Sequence, residues 1–304
     1  MTWLLFAFSG PVMWAVSTHI DKYLVEKYFK HNPVGVLLVF TSLFNLLPMA
    51  GIWIFLPDVT DENALTIAVT TVSGVLYMGA MYFYLGALQG EEASVVAPLF
   101  QATPVFTYGL ALIFLHEKLT VAQMAGAAMM IASALVISLH GLRKIKLRLI
   151  LLMLACTFAL ALSSVIFKFF AVKTDFWLTG FWMFAGEVLF GIALMAIPSY
   201  AKGFVGLFKK HPGAVISVNG ANELINFGGG LMARYASLLG PVAVVQAISG
   251  TTPLFVFVFG VALSLIAPRL GREDLSRKSL IRKGVAAALI VAGTLLVNLR
   301  QGSG

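Results

Sequence analysis

The fold of this chain is decided by the stretch ASVVAPLFQATPVFTYGLAL at residues 93–112, because a close copy, VAVVQAISGTTPLFVFVFGVAL, follows at residues 242–263. Both stretches read Val-Val, then a small polar patch, then Thr-Pro, then an apolar run rich in aromatic residues. The Thr-Pro pair that begins at Thr103 precedes the pair that begins at Thr252 by 149 positions. A helix-breaking phrase repeated half a chain apart indicates an internal duplication.

The composition places the chain in a membrane. Of its 304 residues, 60% are hydrophobic and 11% are charged, whereas soluble domains carry about 25% charged residues. Mean hydropathy is +0.93. A membrane-spanning helix needs about 20 apolar residues, and stretches of that length without Asp, Glu, Lys or Arg recur, for example at 32–57 and 235–268. The formal charge of +8 therefore favours loops beside anionic lipid over a nucleic-acid interface.

We predict an all-α polytopic membrane protein with ten transmembrane helices, because helices satisfy their own backbone hydrogen bonds in lipid. The predicted spans are 2–20, 34–56, 64–87, 92–115, 120–140, 149–171, 176–198, 212–234, 241–266 and 282–300. They divide into two five-helix repeats, residues 1–142 and residues 143–304. Since five is odd, the second repeat enters the membrane inverted, an arrangement typical of transporters that alternate access around a midplane site.

The distribution of Lys and Arg predicts the orientation. Sixteen of these residues fall in the loops on one side of the predicted bundle and four on the other side, which includes both termini. Positive residues accumulate in cytoplasmic loops, so both termini are predicted to lie outside. The predicted location is the bacterial inner (plasma) membrane.

The segment SVVAPLFQATPVFTYGLALIFLHEKLTVAQMAGAAMMIASALVIS at residues 94–138 resembles the EamA module of the drug/metabolite transporter superfamily. The matching features are Pro104 before an apolar run, Glu117 and Leu119-Thr120 in a short loop, and Gln123 with Gly126 at the next helix. The resemblance implies a ten-helix importer or exporter of small metabolites with a central cavity between two halves. It also implies that both termini lie in the cytoplasm, whereas the distribution of Lys and Arg predicts that they lie outside. The second repeat departs from the family pattern, because it has no glutamate at the position that corresponds to Glu117.

One buried carboxyl group is the strongest candidate for chemistry. A charge at the centre of a bilayer costs at least roughly 2.5–3.5 kcal/mol, so each one needs a reason. Glu223 lies in the middle of a predicted span, and Asn219, Glu223 and Asn226 follow one another at i, i+4 and i+7 on one helix face. Three polar groups on one face favour a wet substrate or proton cavity over a glutamate that only stabilises packing.

Further polar and aromatic residues within the predicted spans are candidates for the same cavity. For Glu187 a structural role is as well supported as a cavity role, and aromatic core packing is at least as well supported for Tyr77. The further cavity candidates are Glu187, Asn45, Tyr77, Gln101, Gln246 and Thr252.

Four residues are candidates for gates or hinges. Pro104 and Pro253 lie inside predicted spans, where proline removes a backbone hydrogen bond and bends the helix. Lys22 and Lys168 occupy matching positions of the two repeats and would lie towards opposite membrane faces. The alternative for the lysines is that each side chain reaches the interface along its apolar stem.

The predicted function is a secondary transporter of a small organic metabolite, working by alternating access with proton coupling or exchange. The chain has no Walker A motif and no metal-ligand spacing, so we expect no enzyme activity, no cofactor and no metal. The expected partners are a small-molecule substrate and the lipid bilayer, without nucleic acid, and a monomer could suffice. The alternatives are a flippase for a lipid-linked intermediate, a membrane scaffold without transport, and an intramembrane enzyme.

Overall fold

The structure is a computed structural model that describes residues 2–24, 34–88, 96–138, 146–210, 212–266 and 276–298. In these ranges the chain is almost entirely helical. The helices are α1 (Thr2–Leu24), α2 (Val34–Phe44), α3 (Leu46–Phe55), α4 (Ala64–Leu88), α5 (Ala102–Phe114), α6 (Val121–Ser138), α7 (Leu147–Lys173), α8 (Phe176–Met195), α9 (Pro198–Lys210), α10 (Gly220–Leu239), α11 (Val242–Ser249), α12 (Thr252–Ile266) and α13 (Arg277–Asn298). Short 3-10 helices cover Pro57–Thr60 and Ala97–Gln101, and a π-helix covers Val215–Asn219 after a single turn at Pro212–Ala214.

The helices confirm a polytopic all-α membrane protein. Within the described ranges, seven segments are long and apolar enough to cross a membrane, and two shorter apolar helices, Leu99–Phe114 and Val121–Val136, accompany them. The number of ten spans stays a prediction.

Several predicted spans are interrupted rather than continuous. The span predicted at 34–56 is divided at Asn45 into α2 and α3. The physical reason is Pro48, which has no backbone N–H to donate and whose ring clashes with a carbonyl one turn earlier. The span predicted at 241–266 is divided at Gly250 and Thr251 into α11 and α12. The linker between the seventh and eighth predicted spans contains an additional helix, α9.

The chain divides into two compact units, and each unit combines segments from both halves of the sequence. The first comprises Met1–His19, Glu91–Leu147 and Ile225–Gly304; the second comprises Ile20–Gly90 and Arg148–Leu224. The division into repeats 1–142 and 143–304 is a statement about sequence, and it stays a prediction.

Glycines bring two helices of the second unit into backbone contact. A Cβ atom added at Gly186 of α8 would meet the carbonyl oxygen of Thr71 in α4 and would lie 3.0 Å from the backbone nitrogen of Val75. One added at Gly74 of α4 would meet the carbonyl oxygen of Met183 in α8. Small residues allow such close packing of membrane helices, so α4 and α8 form a tight pair.

The first unit contains a similar contact between α6 and α13. A Cβ atom at Gly126 would lie 2.6 Å from the carbonyl oxygen of Gly293, and one at Gly293 would lie 2.7 Å from that of Gly126. In the same pair, the hydroxyl of Ser133 donates a hydrogen bond to the carbonyl of Ala286 at 2.9 Å. The hydroxyl satisfies its own hydrogen-bonding need on a neighbouring helix, as polar residues of membrane helices commonly do.

Candidate functional site

The carboxyl group of Glu223 lies in the second unit and faces α2. Its side chain is 4% exposed, and the hydroxyl of Thr41 donates a hydrogen bond of 2.6 Å to Glu223 Oε1. Thr41 and Glu223 are 182 positions apart in sequence. The structure therefore gives the buried carboxyl a polar neighbour on another helix, one that the sequence analysis did not identify.

Asn45, one helical turn after Thr41, contacts a second carboxyl group, that of Glu187. The amide of Asn45 donates a hydrogen bond of 2.8 Å to Glu187 Oε2 and contacts the carbonyl of Thr41 at 3.3 Å. Asn45 and Glu187 are both buried. Thr41 and Asn45 thus present their side chains to Glu223 and Glu187, and two residues predicted for the cavity are in direct contact.

A third carboxyl group belongs to the same unit. The amide of Asn222 donates a hydrogen bond of 2.6 Å to Asp21 Oδ1, near the end of α1. The charges of Asp21 and Glu187 both act on Glu223. Asp21, Glu187 and Glu223, together with the neutral donors Thr41, Asn45 and Asn222, are called the carboxyl cluster below.

The backbone just before this cluster is irregular. Val215–Asn219 forms a π-helix, a feature often found at functional sites, and Asn219 is its last residue. The Asn219 side chain is fully buried, and neither its amide nitrogen nor its amide oxygen has a hydrogen-bond partner. The Asn222 Oδ1 atom also lacks one. A buried polar atom without a partner is costly, so these amides are suited to a polar ligand or to water.

The remaining candidates of the second unit lie in different surroundings. Tyr77 packs against an apolar cluster that contains Met78 and Leu194, so its contacts include core packing. Lys168 is buried in α7 with 7% of its surface exposed. Lys22 lies in α1, but its side chain is outside the described part of the structure.

The repeated Thr-Pro phrases meet each other in the first unit. The amide of Gln101 reaches the carbonyl oxygen of Gly250 at 3.5 Å, across a separation of 149 residues, which is the repeat spacing. A Cβ atom at Gly250 would lie 2.7 Å from Gln101 Oε1. The two residues occupy matching positions in the duplicated phrases and lie at the points where both helices are interrupted.

The prolines of these phrases lie just after the interruptions. Pro104 is the third residue of α5 and Pro253 is the second residue of α12. In the first turn of a helix, a backbone N–H has no intrahelical partner, so proline is tolerated there. Each proline therefore lies in the first turn of the helix that follows the interruption. The hydroxyl of Thr252 donates to the carbonyl of Ser249 at 2.7 Å, across the second interruption.

Gln246 and Asn226 also belong to the first unit. Gln246 is half-buried, and its backbone carbonyl accepts a hydrogen bond of 3.1 Å from the backbone N–H of Gly250. The backbone carbonyl of Asn226 accepts a hydrogen bond from Trp14 Nε1 at 3.4 Å. Asn226 follows Glu223 on α10, but the boundary between the compact units falls between them.

Glu117 of the short loop after α5 contacts the start of α11. His116, with a φ of 54°, has the left-handed conformation that commonly ends a helix. Glu117 Oε2 then accepts a hydrogen bond of 3.1 Å from the backbone N–H of Val242, the first residue of α11. Pro241 precedes this helix and makes no side-chain cap. Glu117 therefore caps the helix from a distant part of the chain.

We expect Glu117→Ala to lower the stability of the protein by about 0.5–2 kcal/mol, because the N–H of Val242 loses its acceptor and the helix end loses a favourable negative charge. Thermal unfolding of purified protein in detergent measures this change. Lys118→Ala removes the neighbouring exposed side chain and serves as the control. Equal unfolding temperatures of the two variants would contradict the capping role.

The described residues contain no group of three or more His, Cys, Asp or Glu side chains arranged to hold a metal ion.

Comparisons with known proteins relate the chain to membrane transporters. Residues 1–139 match the model of the EamA-like transporter family. An uncharacterized protein of Methanocaldococcus jannaschii is 32% identical over 43% of this chain and 91% of its own length. A "Probable 4-amino-4-deoxy-L-arabinose-phosphoundecaprenol flippase subunit ArnF" of Pseudomonas savastanoi pv. phaseolicola is 33% identical over 31% of this chain and 70% of its own length.

Two further similarities extend the comparison. A "Probable amino-acid metabolite efflux pump" of Salmonella typhimurium is 30% identical over 47% of this chain and 50% of its own length. One solved crystal structure superposes with a TM-score of 0.66 at 17% identity, covering 98% of this chain and 96% of that chain. At this identity the superposition shows a shared fold.

Proposed function

Because this chain belongs to the EamA-like transporter family, we propose that it is a secondary transporter that moves a small organic metabolite by alternating access. The substrate class is an amino acid, an amine or a drug-like solute. The protein is an integral multi-pass membrane protein. The observation that carries the proposal is the carboxyl cluster, since ionisable groups inside a membrane bundle mark solute and proton pathways.

The hydrogen bond between Thr41 and Glu223 supports proton coupling. A hydroxyl group both donates and accepts hydrogen bonds, so Thr41 donates to an ionised Glu223 and accepts from a protonated one. The pair therefore remains in contact in both protonation states. In the proposed cycle, Glu223 exchanges a proton for the substrate.

The duplicated phrases support alternating access. Each proposed repeat, residues 1–142 and residues 143–304, supplies one helix that is interrupted at its Thr-Pro phrase, and these two interruptions meet at Gln101 and Gly250. Discontinuous helices in inverted repeats commonly form the sites of secondary transporters. The proposed location is a bacterial inner membrane, and the Lys and Arg distribution supports an orientation with both termini outside.

Transport across liposomes tests the proposal. We expect the full-length protein to take up radiolabelled leucine or isoamylamine in response to a pH gradient. Glu223→Gln should reduce the gradient-driven uptake at least roughly tenfold, because the glutamine amide cannot exchange a proton at this position. The comparison of uptake with and without the gradient measures the effect.

Glu62→Gln is the matched control, since it makes the same isosteric change outside the cluster, in the turn before α4. Its uptake should equal that of the wild type. Gradient-driven uptake by Glu223→Gln at the wild-type rate would refute proton coupling at Glu223. Absence of uptake by the wild type for every amino acid, amine and drug-like solute in a broad panel would refute the proposed substrate class.

A second candidate function is a flippase for a lipid-linked intermediate. The first unit carries a groove of about 570 Å³ at α1 and α13. It is lined mainly by apolar side chains: Leu4, Leu5, Phe8, Ser9, Val12, Met13 and Thr294. The groove could hold an acyl or prenyl chain, and one relative is named as a flippase subunit. Transbilayer movement of a labelled polyprenyl phosphate without solute uptake would favour this function, and movement of neither would favour a membrane scaffold.

A further inference from the structure

Asp21 and Asn222 form a corner of the carboxyl cluster that is rich in hydrogen-bond acceptors. Asn222 is 1% exposed and uses its amide nitrogen to donate to Asp21 Oδ1 at 2.6 Å. Because the nitrogen is bound to Asp21, the carboxamide lies against this carboxylate. Its Oδ1 atom is buried without a hydrogen-bond partner, so this atom can accept a hydrogen bond from a ligand group that carries an N–H or O–H.

Neighbouring groups add further acceptors of the same kind. Glu223 follows Asn222 on α10, so its side chain lies on the adjoining face of the helix, about 100° away. Its Oε1 atom accepts a hydrogen bond from Thr41, and Asp21 acts on it electrostatically. Asn219, four residues before Glu223, has a buried amide oxygen without a partner. Among the side chains that the structure describes, Asp21 and Glu187 lie close enough to Glu223 to act on it electrostatically, and both are acidic. Like charges crowded together favour a bound cation or proton.

The set of acceptors determines the chemistry of a fitting ligand group. A carboxylate or phosphate would face acidic groups of its own sign and would offer no donor to Asn222 Oδ1. A protonated primary amine offers three N–H donors and a positive charge. Hydrogen bonds between charged groups are stronger than those between neutral groups, so an ammonium gains most from this corner.

We propose that Asp21, Asn222 and Glu223 form a subsite for the protonated primary amino group of the transported solute. The inference rests on the proposed transport function, and it assigns the cationic end of the substrate to residues of α1 and α10. Asp21 and Glu223 supply the negative charge, and Asn222 Oδ1 supplies an oriented neutral acceptor.

Binding of a matched set of probes to the purified full chain tests the subsite. Leucine carries an amino and a carboxyl group, isoamylamine carries only the amino group, and 4-methylpentanoate carries only the carboxyl group. We expect isothermal titration calorimetry to show binding of leucine and isoamylamine, and no binding of 4-methylpentanoate. Trimethylated isoamylamine retains the charge but lacks N–H donors, so it should bind more weakly than isoamylamine.

Variants then locate the ammonium group. Asp21→Asn and Asn222→Leu should each weaken the binding of isoamylamine roughly tenfold or more, as expected when a buried charged hydrogen bond is lost. Asp21→Glu retains the charge and should restore most of the affinity. Thermal unfolding of every variant shows whether it is folded, and Glu62→Gln serves as the unaffected control.

Several outcomes would overturn the subsite. They are binding of 4-methylpentanoate as tight as that of isoamylamine, unchanged affinity of folded Asp21→Asn and Asn222→Leu, and absence of amine binding to the wild type. If affinity falls equally in Asp21→Asn and Asp21→Glu while both variants unfold early, the role of Asp21 is structural and the proposal fails.

The binding and transport assays separate this inference from the proposed function. If liposomes with the wild-type protein transport 4-methylpentanoate but the protein binds no amine, the transport function is supported and the amine subsite is refuted. A protein that binds isoamylamine through Asp21 but moves no solute would retain the subsite and reject transport.

Discussion

Gly186→Ala is expected to destabilise the protein by about 3 kcal/mol or more, which would lower the thermal unfolding temperature by about 5 °C or more. The added methyl group would meet the carbonyl oxygen of Thr71 and approach the backbone nitrogen of Val75 in α4. Both atoms belong to backbone, so neither can rotate away as a side chain would. Thermal unfolding in detergent measures the change.

Gly180→Ala is the matched control on the same helix. A Cβ atom at Gly180 would have Phe184 as its nearest neighbour, at 3.7 Å, an ordinary van der Waals distance. Since alanine favours a helix over glycine by about 1 kcal/mol, this variant should be as stable as the wild type or slightly more stable. Equal stability of Gly186→Ala and Gly180→Ala would show that the α4 and α8 backbones are further apart than described.

Asn45→Leu is expected to reduce the free energy of unfolding by about 1.5–3 kcal/mol, the usual value of a hydrogen bond to a charged group. Leucine has nearly the same shape as asparagine but cannot donate to Glu187 Oε2, which lies 2.8 Å from the Asn45 amide. Glu187 is 3% exposed, so water cannot readily replace the lost donor. Chemical denaturation in detergent measures the difference.

A double-mutant cycle separates this hydrogen bond from general packing. Glu187→Met replaces the acidic side chain by an apolar one of similar length, and in combination with Asn45→Leu it should recover part of the lost stability. Replacing both partners of a buried polar pair is less costly than removing one. If the two single effects simply add, Asn45 and Glu187 are not energetically coupled.

The helices that carry buried carboxyl groups could be predicted where polar residues interrupt an otherwise apolar stretch. Glu223 and Glu187 each occupy the middle of such a stretch, and both are buried in the structure. Asn219 was placed on the Glu223 face by helical spacing, and it is buried as well. Because a charge in a membrane has a high free-energy cost, an acidic residue within an apolar stretch is a strong indication even in a single sequence.

The partners of these residues could not be predicted. Thr41 looks like an ordinary small residue of a membrane helix, and its contact with Glu223 crosses 182 positions of sequence. Asp21 lies near the end of α1, where a carboxylate is compatible with solvent exposure. Its bond to Asn222 depends on how α1 packs, and periodicity within one helix does not encode packing between helices.

The irregular backbone at the two Thr-Pro phrases could be predicted, whereas the interruption at Asn45 and the contacts between helices could not. The Thr-Pro phrase correctly indicated irregular backbone in both copies, although the interruptions precede Pro104 and Pro253 instead of bending continuous helices. The contact between Gln101 and Gly250 could be recognised only in the structure of the folded unit. Identical spacing in a duplicated chain becomes a contact only when the two copies are placed against each other.

The backbone contact at Gly74 and Gly186 also has a mechanical consequence. Most packed helices are separated by a layer of side chains that can change rotamer, which allows one helix to shear along the other. Between α4 and α8 that layer is missing at the two glycines, where the added Cβ atoms would meet main-chain atoms. Sliding of α4 along α8 is therefore opposed by rigid peptide groups, and we expect the two helices to move together as one body.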